Sequence, residues 1–332
     1  MDPSYPPQSL RSWIREEDRN KVTPERKTIY VAAPPDVDPN VDFIRNWSQP
    51  RQKALRSTIS QPHVQDVLSY IEAYYHGLPV KLLPSSKLRF TAGVDDLDTE
   101  LKLKTNETQR YIVGLDTHTS SGFVGIHSRP PSNGDFTHQL NLNDLLDAAI
   151  IALPEDAYAL LLLVEHDLYE DDDDEFVCGR AYGGSRVAVI STARYHPLLD
   201  GKQGIDRGHA WPASHCKTYL QSCCASSEPV TRQGKKKTQK KDVEMEKAPP
   251  ELVPASSGGR ELFLPLHAAV SAHSNLPSLN SSPSAELLSG LWLGRVCRTA
   301  SHELGHCFGM DHCVYYACGM QGSASIIEDA RQ

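Results

Sequence analysis

No apolar run in these 332 residues is long enough to cross a bilayer: the longest strongly apolar stretch is Ala157 to Val164, and a spanning helix needs roughly 20 residues. Basic charge is not in excess either. Lys and Arg number 34 against 42 Asp and Glu, a formal net charge of -8, which argues against a general polyanion binder. An apolar leader is also missing, because the opening MDPSYPPQSLRSWIREEDR is polar and broken by proline. No secretory signal is therefore expected, and the chain reads as intracellular, cytoplasmic or nuclear. The 8 cysteines should then be mostly reduced, read as metal ligands or core residues before disulfides. What remains is an ordinary globular composition, 39% hydrophobic, sufficient for one large domain or two modest ones.

The chemistry is concentrated in HELGHCFGMDHC, residues 302 to 313. His302 and His306 are four apart and would project from one face of a helix, one turn above the other. Gly309 stands where a chain leaving that helix and doubling back needs positive φ, which would let His312 return as a third ligand. Three neutral imidazoles leave zinc an open fourth position for water, the arrangement of a hydrolytic site. Glu303 lies beside His302 and need not bind the metal, so its carboxylate is free to take a proton from that water. HExxH alone arises often by chance on helices; the extended His, Glu, His, Gly, His pattern does not.

Along the chain, residues 1–57 carry many prolines and charges with little periodicity and read as an extended or disordered N-terminal extension. A helix is predicted from Gln61, with Val64, Val67, Leu68, Ile71, Tyr74 and Tyr75 at three- and four-residue spacing, ending at His76 and Gly77. LPVKLLP is a short strand candidate. Residues 94–121 read as a polar connection in which YIVGL is a further strand candidate. A second helix is predicted with Asn143 as its cap and Leu145, Leu146, Ala149 and Ile150 facing inward, stopping before Pro154. AYALLLLV fits a strand buried on both faces. The acidic run Glu170 to Glu175 lacks the spaced ligands and glycine of a calcium loop and reads as a solvated loop. FVCGRAY and RVAVIST flank Gly183 and Gly184 as a hairpin would. Composition shifts at about residues 225–260, a lysine-rich stretch followed by PPELVPASSGG. It reads as a disordered surface insertion, with a nuclear-import signal or nucleic-acid contact as the functional alternative. ELFLPLHAAV is a strand or short helix. A long helix then starts at Ser282, with Pro283 in its first turn and an apolar face of Leu287, Leu288, Leu291, Val296 and Ala300 running into His302.

After His312 come Cys313, Cys318 and Met320. Two thiolates cannot complete a tetrahedral zinc, and nothing in the spacing of Cys216, Cys223, Cys224 or Cys297 recommends them as the missing pair. HELGHCFGMDHCVYYACGM matches the pattern HExxHxxGxxxCxxxxCxM and is similar to the archaemetzincins, zinc peptidases of the metzincin clan. The likeness extends upstream through THQLNLNDLL, PEDAYALLLLVEHDLY, FVCGRA and ISTARYHP. It covers residues 58–332, interrupted by the lysine-rich insertion.

The resemblance implies an α+β fold: a metzincin-like catalytic domain with a mixed β-sheet, a backing helix, a long active-site helix and a short C-terminal subdomain. It implies that His302, His306 and His312 bind the catalytic zinc, that Glu303 is the general base, and that Met320 sits in a methionine turn beneath the metal. Cys313 and Cys318 would be half of a second, four-cysteine zinc site. The family pattern continues to a CxxC pair beyond the methionine, whereas this sequence ends at Gln332, twelve residues after Met320. The chain is thus expected to be C-terminally truncated relative to the family, with its second zinc site incomplete. The expected activity is zinc-dependent hydrolysis of a peptide or protein substrate, with FVCGRAY as the candidate edge strand for pairing with extended peptide. The alternative is a catalytically silent zinc-binding interaction module. Neither a membrane nor a nucleic acid is an expected partner.

Overall fold

The computed structural model describes residues 7–51, 59–84, 88–92, 110–118, 122–207, 283–315 and 318–331, together with Ser271 and Asn275. Residues Met1–His209 and Ser278–Gln332 belong to one unit, and Ala210–Pro277 to a second. Both the lysine-rich insertion and ELFLPLHAAV lie outside the described residues.

The first unit holds two sheets. In chain order the strands are β1 (Thr28–Ala32), β2 (Asp36–Val37), β3 (Val80–Leu82), β4 (Arg89–Thr91), β5 (Ile112–Asp116), β6 (Phe123–Arg129), β7 (Gln139–Asn141), β8 (Ala157–Val164), β9 (Asp167–Tyr169), β10 (Gly179–Tyr182) and β11 (Val187–Ser191). One five-stranded sheet has the order β10-β11-β8-β1-β3, parallel except for β10, which pairs antiparallel with β11 at the edge. The other runs β2-β4-β5-β6-β7-β9 and is also mixed. The helices are α1 (Leu10–Arg15), α2 (Val64–Tyr74), α3 (Leu142–Ala152), α4 (Asp200–Gln203), α5 (Ala285–Cys307) and α6 (Ile326–Arg331). No helix among the described residues is long and apolar enough to cross a membrane.

Strand β8 organises the core because every one of its residues is buried. Its side chains alternate between faces. Tyr158, Ala159, Leu161 and Leu163 join a cluster with Val67 and Ile71 of α2 and Val296, Ala300 and Leu304 of α5. Leu160, Leu162 and Val164 join another with Leu145, Leu146 and Ala149 of α3. The sheet is therefore covered on both faces, which is why β8 reads as a continuous apolar run rather than an alternating one.

Three sequence expectations change. Residues 28–48 are not a loose extension: β1 lies between β8 and β3, and Val41, Ile44 and Trp47 of the following 3-10 turns are buried. Short strands flanked by proline and charge carry little periodic signal, and this one is stabilised by partners far along the chain. Helix α3 is capped by Asn141, whose side chain accepts the Asp144 N–H at 3.1 Å; Asn143 instead accepts the Tyr182 hydroxyl at 2.8 Å. With the register set from Asn141, Ile150 turns outward and is 37% exposed. Finally, α5 begins after Ser284, whose hydroxyl accepts the Leu287 N–H, so Pro283 precedes the cap.

Candidate metal centre

Helix α5 packs on β11, β10 and α2, and its last two turns bring His302, Glu303 and His306 to the wall of one cavity. It ends at Phe308, and Gly309 follows with φ of +74°, the left-handed conformation that glycine adopts without steric cost. The chain then folds back, so that the ligand atoms of His302, His306 and His312 all lie within 4.8 Å of one another. Nε2 of His302 is 3.1 Å from Nε2 of His306 and 3.3 Å from Nε2 of His312.

Backbone carbonyls decide which ring nitrogens carry protons. Nδ1–H of His302 donates to the Gly319 carbonyl at 2.7 Å, and Nδ1–H of His306 donates to the Met310 carbonyl at 2.7 Å. Each of these rings therefore turns an Nε2 lone pair inward. The Nε2 lone pairs of His302 and His306, facing each other at 3.1 Å, suit a shared cation and make no hydrogen bond between those two neutral rings. Burial favours the neutral form. The His302 imidazole is pulled down to about 4, by burial first and the neighbouring His306 second, and burial also lowers His306 and His312. The donor set, its tautomers and its neutrality fit zinc.

Glu303 is only 9% exposed, and its carboxyl is pushed up to about 8, mainly by burial, against the opposing pull of the Arg180 guanidinium and the Ala181 backbone. It lines the same cavity as the three histidines, a space of about 610 Å³ walled by β10 residues Gly179 to Ala181 on one side and by Ser325, Ile326 and Asp329 at α6 on the other. Met320 is buried against Gly305 of α5. A Cβ at Gly305 would lie 2.2 Å from the Met320 sulfur, so the absence of a side chain on α5 makes room for the thioether. Gly183, in the β10–β11 turn, has the same relation to the His306 carbonyl, 2.6 Å from where its Cβ would be.

Cys313 and Cys318 are close enough for their thiols to interact. Among the described residues the histidine triad is the one group of three or more possible metal ligands, and neither cysteine joins such a group. Three contributors were not anticipated from the sequence. Arg298, which pairs with Asp329, precedes His302 by four residues, so helical spacing could have placed it on the cavity face. Asp329 and the Gly319 carbonyl had no comparable signal, since turns outside the helix bring them in.

The sequence profile of Peptidase family M54 matches residues 278–332, and archaemetzincin-2 of Macaca fascicularis and of Homo sapiens are each 24% identical to the chain over 326 residues, 98% of its length. The chain is similar to the archaemetzincins, and its segment 278–332 matches Peptidase family M54. The site residues His302, Glu303, His306, His312, Cys313, Cys318 and Met320 all fall inside the M54 segment. The chain spans 61% of the length of those archaemetzincin-2 relatives. Among solved structures, it is similar to an archaemetzincin from Methanopyrus kandleri, with 16% identity, a TM-score of 0.37 and coverage of 93% of this chain and 88% of that one. An archaemetzincin from Archaeoglobus fulgidus complexed with malonate aligns at 14% identity and a TM-score of 0.35, covering 91% and 90%.

Proposed function

We propose that this chain is a zinc-dependent metallopeptidase whose metal is held by His302, His306 and His312. The observation that carries the reading is the convergence of three imidazole nitrogens, two of them with their outer N–H committed to backbone carbonyls. A zinc ion there would supply Lewis acidity for a scissile carbonyl and make a water acidic enough to react near neutral pH.

The rest is the work of side chains. Glu303, in its ionised form, takes the proton from the attacking water and then, as the carboxylic acid that burial favours, delivers it to the leaving amine. Strand β10 is the sheet edge nearest the site, and its open side receives extended peptide as an added strand, setting the scissile bond beside α5. In this metzincin-like reading α5 is the active-site helix, α3 the backing helix, and the segment from Gly309 to α6 the C-terminal subdomain.

The test compares wild type with Glu303→Gln for zinc content and for turnover of a broad peptide library. The expected outcome is equal zinc in both and a loss of hydrolysis of about a hundredfold or more in the variant. Undiminished hydrolysis by Glu303→Gln would remove Glu303 from the mechanism. Zinc binding by wild type with no turnover across the library would replace the peptidase with a silent zinc module.

A further inference from the structure

Helix α5 ends in a tight turn, and the last carbonyls of any helix have no partner within it. Here the carbonyl of Cys307, the last residue of α5, and those of the three residues that follow it each receive a side-chain donor. The Tyr158 hydroxyl donates to the Cys307 carbonyl at 3.2 Å, Trp13 Nε1 to Phe308 at 2.9 Å, Gln8 Nε2 to Gly309 at 2.9 Å, and His306 Nδ1 to Met310 at 2.7 Å. Two of the four come from the first 13 residues of the chain, 301 and 295 positions away from what they bind.

Gln8 does more than cap. Its side-chain oxygen accepts the Asp311 N–H at 3.1 Å while its nitrogen donates to the Gly309 carbonyl, so one planar amide spans Gly309 to Asp311, the three residues before His312. Arg19 completes the clamp. Its guanidinium lies 3.9 Å from the Trp13 ring centroid, and its aliphatic stem covers Gly309, where a Cβ would come 3.0 Å from Arg19 Cγ. Asn20 then donates its side-chain amide to the Gly183 carbonyl at 2.8 Å, and its own carbonyl, 3.0 Å from the Tyr158 oxygen, shares that hydroxyl's single proton with the Cys307 carbonyl, tying the segment to the β10–β11 turn as well. None of the residues of α1 is buried, so polar contacts at both ends, and not an apolar face, hold the segment down.

We infer that Gln8 and Trp13 are positioning residues of the metal centre: they fix the turn from Phe308 to Asp311 and thereby hold His312 in register with His302 and His306. The inference rests on the zinc reading above. It differs from a general stabilising role because its effect must pass through His312.

The experiment uses the full chain loaded with Zn2+, or with Co2+ as a spectroscopic probe, and the variants Gln8→Ala, Gln8→Glu and Trp13→Phe. Gln8→Glu keeps an acceptor for the Asp311 N–H but loses the donor to Gly309, and Trp13→Phe keeps the ring under Arg19 but loses the N–H. Zinc affinity by chelator competition should fall about tenfold in Gln8→Ala and Trp13→Phe, with Gln8→Glu between them and wild type. The Co2+ absorption bands should change as His312 shifts, while the metal-free melting temperature stays the same. In a His312→Ala background the same substitutions should have no further effect on affinity. Wild-type affinity in Gln8→Ala and Trp13→Phe, or an undiminished effect without His312, overturns the clamp alone. Failure of wild type to bind Zn2+ overturns the zinc reading and the clamp with it.

Discussion

His302 and His306 each direct one ring N–H to a carbonyl, and that choice is what leaves the opposite nitrogens free for a cation. On the same helix, the residue without a side chain meets a flexible one: Gly305 against Met320. Gly305→Ala would force the thioether out of its place, because the new Cβ overlaps the sulfur at 2.2 Å and crowds its methyl at 3.0 Å. The expected loss is about 1–3 kcal/mol, as for other overpacked cores. Met320→Ala leaves a void of its own, but it also removes the clash, so the double variant should cost less than the two single ones added. Urea unfolding of the four proteins checks this, and strictly additive costs would place Met320 elsewhere.

At the level of elements, a buried charge cluster joins β9 to the turn that follows β11. The Arg194 guanidinium, 1% exposed, donates to Asp167 through Nε at 2.7 Å and to Asp135 at 2.9 Å. Gln139 on β7 reaches the same Asp167 carboxylate at 3.0 Å, so the second sheet is tied to residues 193–195, and Tyr195 of that turn lines the metal cavity. Burial raises the Asp167 carboxyl while the Arg194 pairing opposes it. Removing one member of a buried pair costs about 3–5 kcal/mol because the other charge is stranded. Asp135 partly compensates Arg194, so Asp167→Ala should cost about 3 kcal/mol, at the lower end of that range. Denaturant unfolding measures it, and a change under 1 kcal/mol would mean that Asp135 alone satisfies the guanidinium. This cluster was not legible in the sequence. Asp135, Asp167 and Arg194 are separated by long stretches and share no periodicity. The elements themselves were more open to reading: the helical spacing of Val64 to Tyr74, the apolar run of β8 and the Gly183–Gly184 hairpin all depend on neighbours within a few residues.

For the molecule as a whole, stability carries a pH dependence from buried imidazoles. His166 donates to the Ile44 carbonyl at 3.0 Å and burial pulls it down to about 4 from 6.5. In the window between these values the unfolded chain binds the proton more tightly than the folded one, so stability falls with falling pH. The contribution is present in full above about 6.5 and is lost by about 4, a change on the order of 3 kcal/mol. His196, also lowered to about 4 by burial, acts in the same direction. His166→Gln should flatten the slope of unfolding free energy against pH across that window. An unchanged slope would show that His166 does not titrate there.

The same scale explains what the sequence could and could not convey about the site. Three histidines and a glutamate within eleven residues could be read because a helix and one glycine turn are local geometry. The N-terminal segment could not, since Gln8 and Trp13 meet Gly309 and Phe308 across sequence separations of 301 and 295 residues. The proline- and charge-rich N-terminal region therefore reads as an appendage, although Thr28–Ala32 form an interior strand and Gln8 and Trp13 bind the turn after α5.

The central claim is that zinc sits on His302, His306 and His312 and not on the thiols of Cys313 and Cys318. X-ray absorption at the zinc edge of the chain loaded with one equivalent of Zn2+ tests it directly. The expected spectrum has nitrogen or oxygen scatterers at about 2.0–2.1 Å with the multiple scattering of imidazole rings, and no sulfur. A sulfur shell at about 2.3 Å would assign the metal to the cysteines and contradict the proposed catalytic centre.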